Sequence, residues 1–309
     1  MFANTKQAQM SLSKKILRHH GRTFWLASFF LPRPQAAQAT QLYGFCRLID
    51  DLADEPSRPR GHVVHELINY FSVTGDIPKD LNQSESLLVC TVFNSDLNKS
   101  IILELLLGVE SDLKSNIFTS ESTLIRYSYA VAGTVGILMA DIMKSRSEQA
   151  KYHAIDLGIA MQLTNISRDV LEDSQVDRRY IPMSAGVSEI RKGQNRKDVS
   201  AQISHVIDLS ETYYQSGLEG LAYLPRKMRP CVYIMAVLYR AISRKLKKNN
   251  VNWHQGRTTI TPIEKIYLIL TALPTCFRLL VQTRSDRETM TSHKKDLHSH
   301  LSGLPCVHR

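Results

Sequence analysis

The stretch RLIDDLADEP, residues 47 to 56, sets Asp50, Asp51, Asp54 and Glu55 close together, with Arg47 the nearest cation. Asp50 and Asp54 stand at i and i+4, so on a helix they project from one face with Asp51 beside them. A second stretch, NISRDVLEDSQVDRRY, repeats the arrangement: Asn165, Asp169 and Asp173 fall at successive i+4 steps, Glu172 is adjacent and Arg168 precedes Asp169. Spacing alone is weak, because a DxxxD pattern arises about once by chance in a chain of this composition. Asp76 and Asp80 match it as well, but Pro78 interrupts the helix that would align them.

Position says more than spacing. Both clusters close apolar helical segments (LYGFC before the first, LGIAMQL before the second). At a helix C-terminus each carboxylate is disfavoured by about 0.3–1 kcal/mol, and like-charge i,i+4 repulsion adds about 0.2–0.5 kcal/mol. A solvated acidic helix end is the ordinary reading of one such cluster; two of them require something cationic to offset the repulsion. Oxygen ligands without Cys or His suit Mg²⁺, with Mn²⁺ a substitute, which binds through carboxylates together with substrate phosphates. Two such helix ends facing each other across a cavity would clamp a diphosphate, with Arg178 and Arg179 completing the charge balance.

The elements that must position these groups are helices. Apolar residues recur at three- and four-residue spacing, and little of the chain alternates as strands do. Helices are predicted near 7–20, 35–55, 61–72, 97–115, 121–144, 148–174, 197–222, 227–248 and 262–281, an all-α chain. Pro34 suits a first helical turn and Pro56 ends the same helix, while residues 72 to 86 read as a loop. Residues 1–283 are expected to form a single domain, and the polar, His-rich tail 284–309 is expected to lack order. At 309 residues, 43% hydrophobic and 22% charged, the composition is that of a folded globular chain.

The five cysteines are scattered without a CxxC pair, which fits a reducing, cytoplasmic setting. No segment is expected to span a membrane. A net charge of +10 favours anionic partners. The basic runs lack the interleaved aromatics of a nucleic-acid platform, so no nucleic acid is expected. Peripheral contact with an anionic membrane surface is expected instead.

LYGFCRLIDDLADE, YSYAVAGTVG and QLTNISRDVLEDSQVDRRYIP, in that order, resemble the signatures of the squalene/phytoene synthase family of head-to-head trans-prenyltransferases. A weaker GRTF near the N-terminus and GRTTITPIEKI near the C-terminus join them, and the likeness spans about residues 18 to 283. It implies an isoprenoid-synthase helical bundle around a central apolar cavity, with two aspartate-rich motifs holding Mg²⁺. By position, Asp50, Asp51 and Asp54 form the first motif, and Asn165, Asp169 and Asp173 the second. Arg47, Arg168, Arg178 and Arg257 match positions that bind diphosphate or order its pocket, while in GRTF, which departs from the family's usual form, Arg22 stands where a Lys is common and still supplies a phosphate-binding cation. Tyr43, Tyr129, Gln162 and Tyr180 match cavity or phosphate-side positions, Tyr129 with a catalytic role. Tyr129 and Gln162 are equally readable as packing residues, and Gly133 and Gly136 as sites of close helix approach.

The implied reaction is condensation of two geranylgeranyl diphosphates to phytoene through a cyclopropylcarbinyl diphosphate, in carotenoid biosynthesis, as in a bacterial phytoene synthase. Condensation of farnesyl diphosphate to dehydrosqualene or squalene is the alternative, and a catalytically inactive assembly factor a remote one. NADPH is not expected, since the chain has no GxGxxG. The sequence sets no oligomeric state.

Overall fold

The computed structural model describes residues 22–54, 60–114, 116–145, 147–282 and 292–308. No strand occurs among them; the single β-type contact is an isolated bridge between Ile117 and Arg179. Helix α1 (Arg22–Ser28) and helix α2 (Arg33–Asp54) open the described chain, followed by α3 (Gly61–Phe71), α4 (Gln83–Phe93) and α5 (Lys99–Ser111). A rod then runs from α6 (Glu121–Ser128) through a π-helical turn (Tyr129–Gly133) into α7 (Thr134–Ile142). Helix α8 (Glu148–Arg168) and the short α9 (Val170–Gln175) carry the second acidic stretch. Beyond α10 (Val187–Arg191) come α11 (Arg196–Glu219), α12 (Arg229–Lys248) and α13 (Pro262–Val281), and Lys295–Leu301 forms a 3₁₀ turn.

Helix α8 is the hub, packing on α11, α12, α7 and the π turn with Ile155, Ile159, Leu163 and Ile166 all buried. Its approach to the α6–α7 rod is too close for side chains. A Cβ on Gly136 would lie 2.1 Å from the Ala154 carbonyl oxygen, and one on Gly158 would lie 2.3 Å from that of Ala132. Any larger residue there must separate the two helices, so these glycines outweigh their cost of about 1 kcal/mol inside a helix. The stretch Glu121–Ile142 is long and apolar enough to cross a membrane by length and composition, yet 61% of its apolar window is buried inside the fold, as a core helix requires.

Several expectations change. The helix expected at 7–20 lies outside the described residues. Helix α4 begins inside the segment read as a loop: Asn82 accepts bonds from the Ser84 and Glu85 amides while Glu85 accepts one from the Asn82 amide, a full capping box. The helix expected over 148–174 breaks at Asp169, whose φ of −101° and ψ of 13° leave the helical region. The tail is the largest correction within the described residues, because 292–308 pack against α6, α8 and α11. The Tyr213 hydroxyl donates to the Leu297 carbonyl at 2.9 Å, Arg126 to those of His300 and Ser302 at 3.0 and 3.1 Å, and His293 and His298 are buried.

Candidate active site

Helices α1, α2, α7, α8, α11 and α12 enclose a cavity of 340 Å³. Its walls are apolar, with Leu42, Val135, Met139, Leu157, Met161 and Met235 among them. Its polar lining comes largely from Tyr43 and Asp50 on α2, Gln162 and Asn165 on α8, and Tyr239 on α12. Asp50 and Asn165 belong to the two acidic stretches, so the C-terminal ends of α2 and α8 converge on one chamber.

The stretches also meet directly. Arg178, just beyond α9, pairs with Asp54 at 2.8 Å and donates to the Asp112 backbone carbonyl at 2.7 Å. Asp112, at the end of α5, accepts hydroxyl bonds from Tyr127 at 2.7 Å and Tyr180 at 2.8 Å and an amide bond from Asn116 at 2.7 Å. Desolvation raises its pKa and these donors oppose the rise.

Charge in this region is out of balance. Among the described residues, seven carboxylates, those of Asp50, Asp51, Asp54, Asp112, Asp169, Glu172 and Asp173, face four guanidiniums, those of Arg47, Arg168, Arg178 and Arg257. Arg47 pairs with Asp51 one turn away. Asp169 is held between two arginines: Arg168 Nε donates to Oδ1 at 2.6 Å, and Arg257 reaches both oxygens at 2.7 and 3.0 Å. Asp50 and Asp173 form no ion pair among the described residues. The Asp50 carboxyl is pushed up to about 7, first by desolvation and then by Asp54, with Arg47 opposing. Asp50 is exposed by area and lines the chamber, so it is open to a ligand there. Asp173 is pushed up to about 8 by desolvation and Asp169, with Arg178 opposing. Oxygen donors carrying surplus, poorly solvated negative charge fit a divalent cation of the Mg²⁺ type.

The remaining sequence-expected residues divide. Tyr43 lines the chamber, its ring 5.3 Å from that of Phe24, and burial pushes its hydroxyl up to about 12. Gln162 accepts a bond from the Asn165 amide at 3.3 Å. Arg22 starts α1, and its side chain lies outside the described residues. Arg179 is turned away from the chamber and staples a loop, donating to the carbonyls of Met183 and Ala185 at 2.7 Å. Asp80 lies at the surface 2.7 Å from His62, in keeping with its rejection.

Tyr129 does not line the chamber. It is fully buried and donates its hydroxyl to the Pro305 carbonyl at 2.5 Å, toward the C-terminal segment. The tyrosine at the acidic mouth is Tyr127, which bonds Asp112 and stacks on Tyr180 with centroids 4.8 Å apart. Helical residues two apart point to nearly opposite sides, so YSY offers one tyrosine to each face. Tyr127, Asp112 and Tyr239 were missed by sequence reasoning: Asp112 has no second carboxylate four residues away, and Tyr239 lies in a helix read only for its basic runs. Burial raises the Tyr239 hydroxyl's pKa, and Arg168 and Arg257 oppose the rise.

A second carboxylate cluster lies apart, at the tail. Asp156, His293 and His298 are buried with ligand-type atoms within 4.8 Å of one another. Proton placement decides between an ion site and a hydrogen-bonded lock. The His298 Nδ1 accepts the His308 amide at 3.0 Å, so its Nε2 carries the proton and donates to Asp156 Oδ1 at 3.2 Å. His293 Nε2 reaches Oδ2 at 2.8 Å, and the Ser216 hydroxyl donates to the same oxygen. With both oxygens engaged by donors, the trio is a lock.

The chain matches the profile of the family described as Squalene/phytoene synthase over residues 17–264. Among curated proteins it is 28% identical over 267 residues to the 15-cis-phytoene synthase of Enterobacter agglomerans, covering 81% of this chain and 90% of that one. It is 33% identical over 240 residues to the phytoene synthase of Thermus thermophilus, covering 75% and 81%. Among solved structures it superposes on a dehydrosqualene synthase in complex with ligand (TM-score 0.72, 23% identity, 88% of this chain and 98% of that one). It also superposes on the squalene synthase HpnC of Alicyclobacillus acidocaldarius (TM-score 0.67, 21% identity, 80% and 96%).

Proposed function

We propose, since the chain belongs to the squalene/phytoene synthase family and is a prenyltransferase-type enzyme, that it condenses two geranylgeranyl diphosphates head to head into phytoene for carotenoid biosynthesis. The observation that carries this reading is the convergence of two acidic helix ends on the polar rim of one apolar chamber. Relatives along most of the chain are phytoene synthases, which supports the geranylgeranyl substrate.

Asp50 and Asp173, with Asn165, would hold the divalent cation, and Asp51, Asp54 and Asp169 lie beside them; the metal supplies charge neutralisation for the departing diphosphate. Arg47, Arg168, Arg178 and Arg257 are already oriented by carboxylates, from which each can turn to a phosphate oxygen. The apolar walls keep water from the allylic cation, which water would otherwise trap as an alcohol. The rings of Phe24, Tyr43 and Tyr239, grouped with centroids 5.3 and 5.9 Å apart, offer π faces to that cation. The carboxylates act as metal ligands, so no general acid is required of them.

Farnesyl diphosphate is the competing substrate, favoured by the structural likeness to a dehydrosqualene synthase. Incubation of purified protein with Mg²⁺ and either diphosphate, with and without NADPH, followed by identification of the hydrocarbon, decides between them. Phytoene from geranylgeranyl diphosphate without NADPH is the expected result. Dehydrosqualene or squalene from farnesyl diphosphate alone would reverse the substrate assignment, and no product from either would return the chain to the inactive-relative reading.

A further inference from the structure

Helix α13 buries little of itself. Ala272 and Cys276 enter the smaller apolar cluster, whereas Ile263, Ile266, Leu270, Leu273, Phe277 and Leu280, spaced three and four apart, form an exposed stripe. Ile263 is 80% exposed and Phe277 68%, and Phe29 at the end of α1 extends the surface at 67%. Single exposed apolar residues are ordinary; a continuous row five turns long is not.

Among the described residues, the exposed charges bordering the row are cationic. Arg33, Arg226, Lys227 and Arg278 are exposed in or beside the elements that border it, and Lys227 lines the groove between Phe29 and Phe277. The one acid on α13, Glu264, is engaged at its N-terminus by Lys245 at 2.7 and 2.8 Å and by the Thr261 cap. The groove also borders the chamber: Leu31 lines both, and the apolar cluster that includes Leu31, Cys231 and Met235 packs the chamber wall against the buried side of α13.

We propose that the outer face of α13 docks on an anionic lipid bilayer. The stripe would sit at the acyl boundary with Arg33, Arg226, Lys227 and Arg278 at the headgroup phosphates, an arrangement that combines apolar burial with attraction to anionic lipid. A second copy of this chain is the poorer occupant. A two-fold contact is self-complementary, so it would set this cationic rim against itself with no exposed carboxylate from the described residues of these elements opposite. Docking would place the Leu31 wall of the chamber next to the acyl layer, a short path for an apolar product. The inference goes beyond the condensation reading and stands or falls separately from it.

The test uses the full-length protein with sedimented vesicles of phosphatidylcholine alone or mixed with phosphatidylglycerol. Wild-type protein is expected to pellet with the anionic vesicles, less so at high salt. The double variant Ile266→Glu, Phe277→Glu should lower partitioning by about tenfold or more, and Arg226→Ala with Lys227→Ala should lower it on anionic vesicles alone. Both variants alter exposed residues, and unchanged thermal melting verifies their folds. Wild-type protein that stays in the supernatant, or an Ile266→Glu, Phe277→Glu variant that pellets as well as wild type, would overturn the proposal. So would a dimer in light scattering that this variant dissolves without any vesicle binding. Turnover of detergent-dispersed substrate by the same variants reads the chamber separately.

Discussion

Asp50 and Asp156 are carboxylates of the same length, both packed among helices of one bundle, and they are perturbed in opposite directions. Burial raises Asp50, Asp54 adds to the rise and Arg47 only partly opposes it, so the pKa stands at about 7. Burial would raise Asp156 too, but hydrogen bonds from His293 and His298 outweigh it, and its pKa is lowered. The decisive difference lies in the donors: Asp156 is fully buried yet lowered, while Asp50, which keeps accessible surface at the chamber, is raised. Asp156 has a complete set supplied by the chain itself, so it is a finished structural joint. Asp50 and Asp173 have none that neutralise them, so the protein holds unspent negative charge at the mouth of an apolar chamber, which fits a site completed from outside.

The sharpest way to break this comparison is to neutralise each member. Asp50→Asn and Asp173→Asn should each lower turnover by about a thousandfold or more, as expected when a charge stabilising the leaving group is misplaced. Their metal-free melting temperatures should stay level or rise, because a repulsive charge has gone. Assays with Mg²⁺ and metal-free thermal melts check the two halves, and a clear drop in melting temperature would make these acids structural. Asp156→Asn should do the reverse. Removing the charged centre of a buried network costs about 3–5 kcal/mol; the melt should drop accordingly, while the folded fraction turns over at nearly the wild-type rate. A mouth variant that melts early, or an Asp156 variant that folds well without activity, would exchange the two assignments.

Why one cluster was legible and the other was not follows from the same contrast. The mouth carboxylates sit at i+4 on two helix ends, and a period of 3.6 residues is visible in any sequence. Asp156 is a lone acid in YHAIDLGIAMQL, and its partners lie about 140 residues away in a tail whose polarity reads as solvated. Histidines of that kind become core only when a buried carboxylate receives them, a pairing across the chain that no local pattern encodes. Asp112 was hidden for a related reason, since its three side-chain donors arrive from α6, from the residue after Arg179 and from the loop after α5. Helix α4 was legible in principle: the Asn82–Glu85 box was present, and a run of polar residues around it was read as a loop. The π turn at Tyr129–Gly133 carries no such signal.

A pH series sharpens the comparison with a smaller effect. A carboxyl near 3.9 when unfolded and near 7 or 8 when folded binds more protons in the folded state, so its contribution to stability is present at low pH and is lost as pH rises through the folded value. Metal-free protein should therefore melt progressively lower from about pH 5 to about pH 8, and the slope should flatten in an Asp50→Asn, Asp173→Asn double variant. Stabilisation by added Mg²⁺ should grow over the same interval, because protons compete for the same oxygens. Asp156 acts with the opposite sign: its lowered pKa contributes stability above the unfolded value and loses it only as pH falls through the folded one. A metal-free melt that is flat from about pH 5 to about pH 8 would remove the surplus charge from the mouth.

The smallest effect is the most local, and it separates the two tyrosines of YSY. Tyr127→Phe removes one donor from Asp112 and leaves that carboxylate short of a partner beside Arg178 and Asp173. Turnover should fall by about tenfold, from a hydrogen bond worth about 1.5 kcal/mol to a charged acceptor. Since Tyr127 acts through Asp112, the distinguishing readout is the Mg²⁺ concentration dependence, which should shift to higher concentration. Tyr129→Phe removes only the bond to the Pro305 carbonyl. It should lower stability by about 1 kcal/mol and leave both the rate and the Mg²⁺ dependence of the folded enzyme unchanged. If Tyr129→Phe were instead the variant with altered Mg²⁺ dependence, its hydroxyl would have to turn from the tail toward the chamber on substrate binding, and the boundary between the finished joint and the unfinished site would run through the π turn rather than around it.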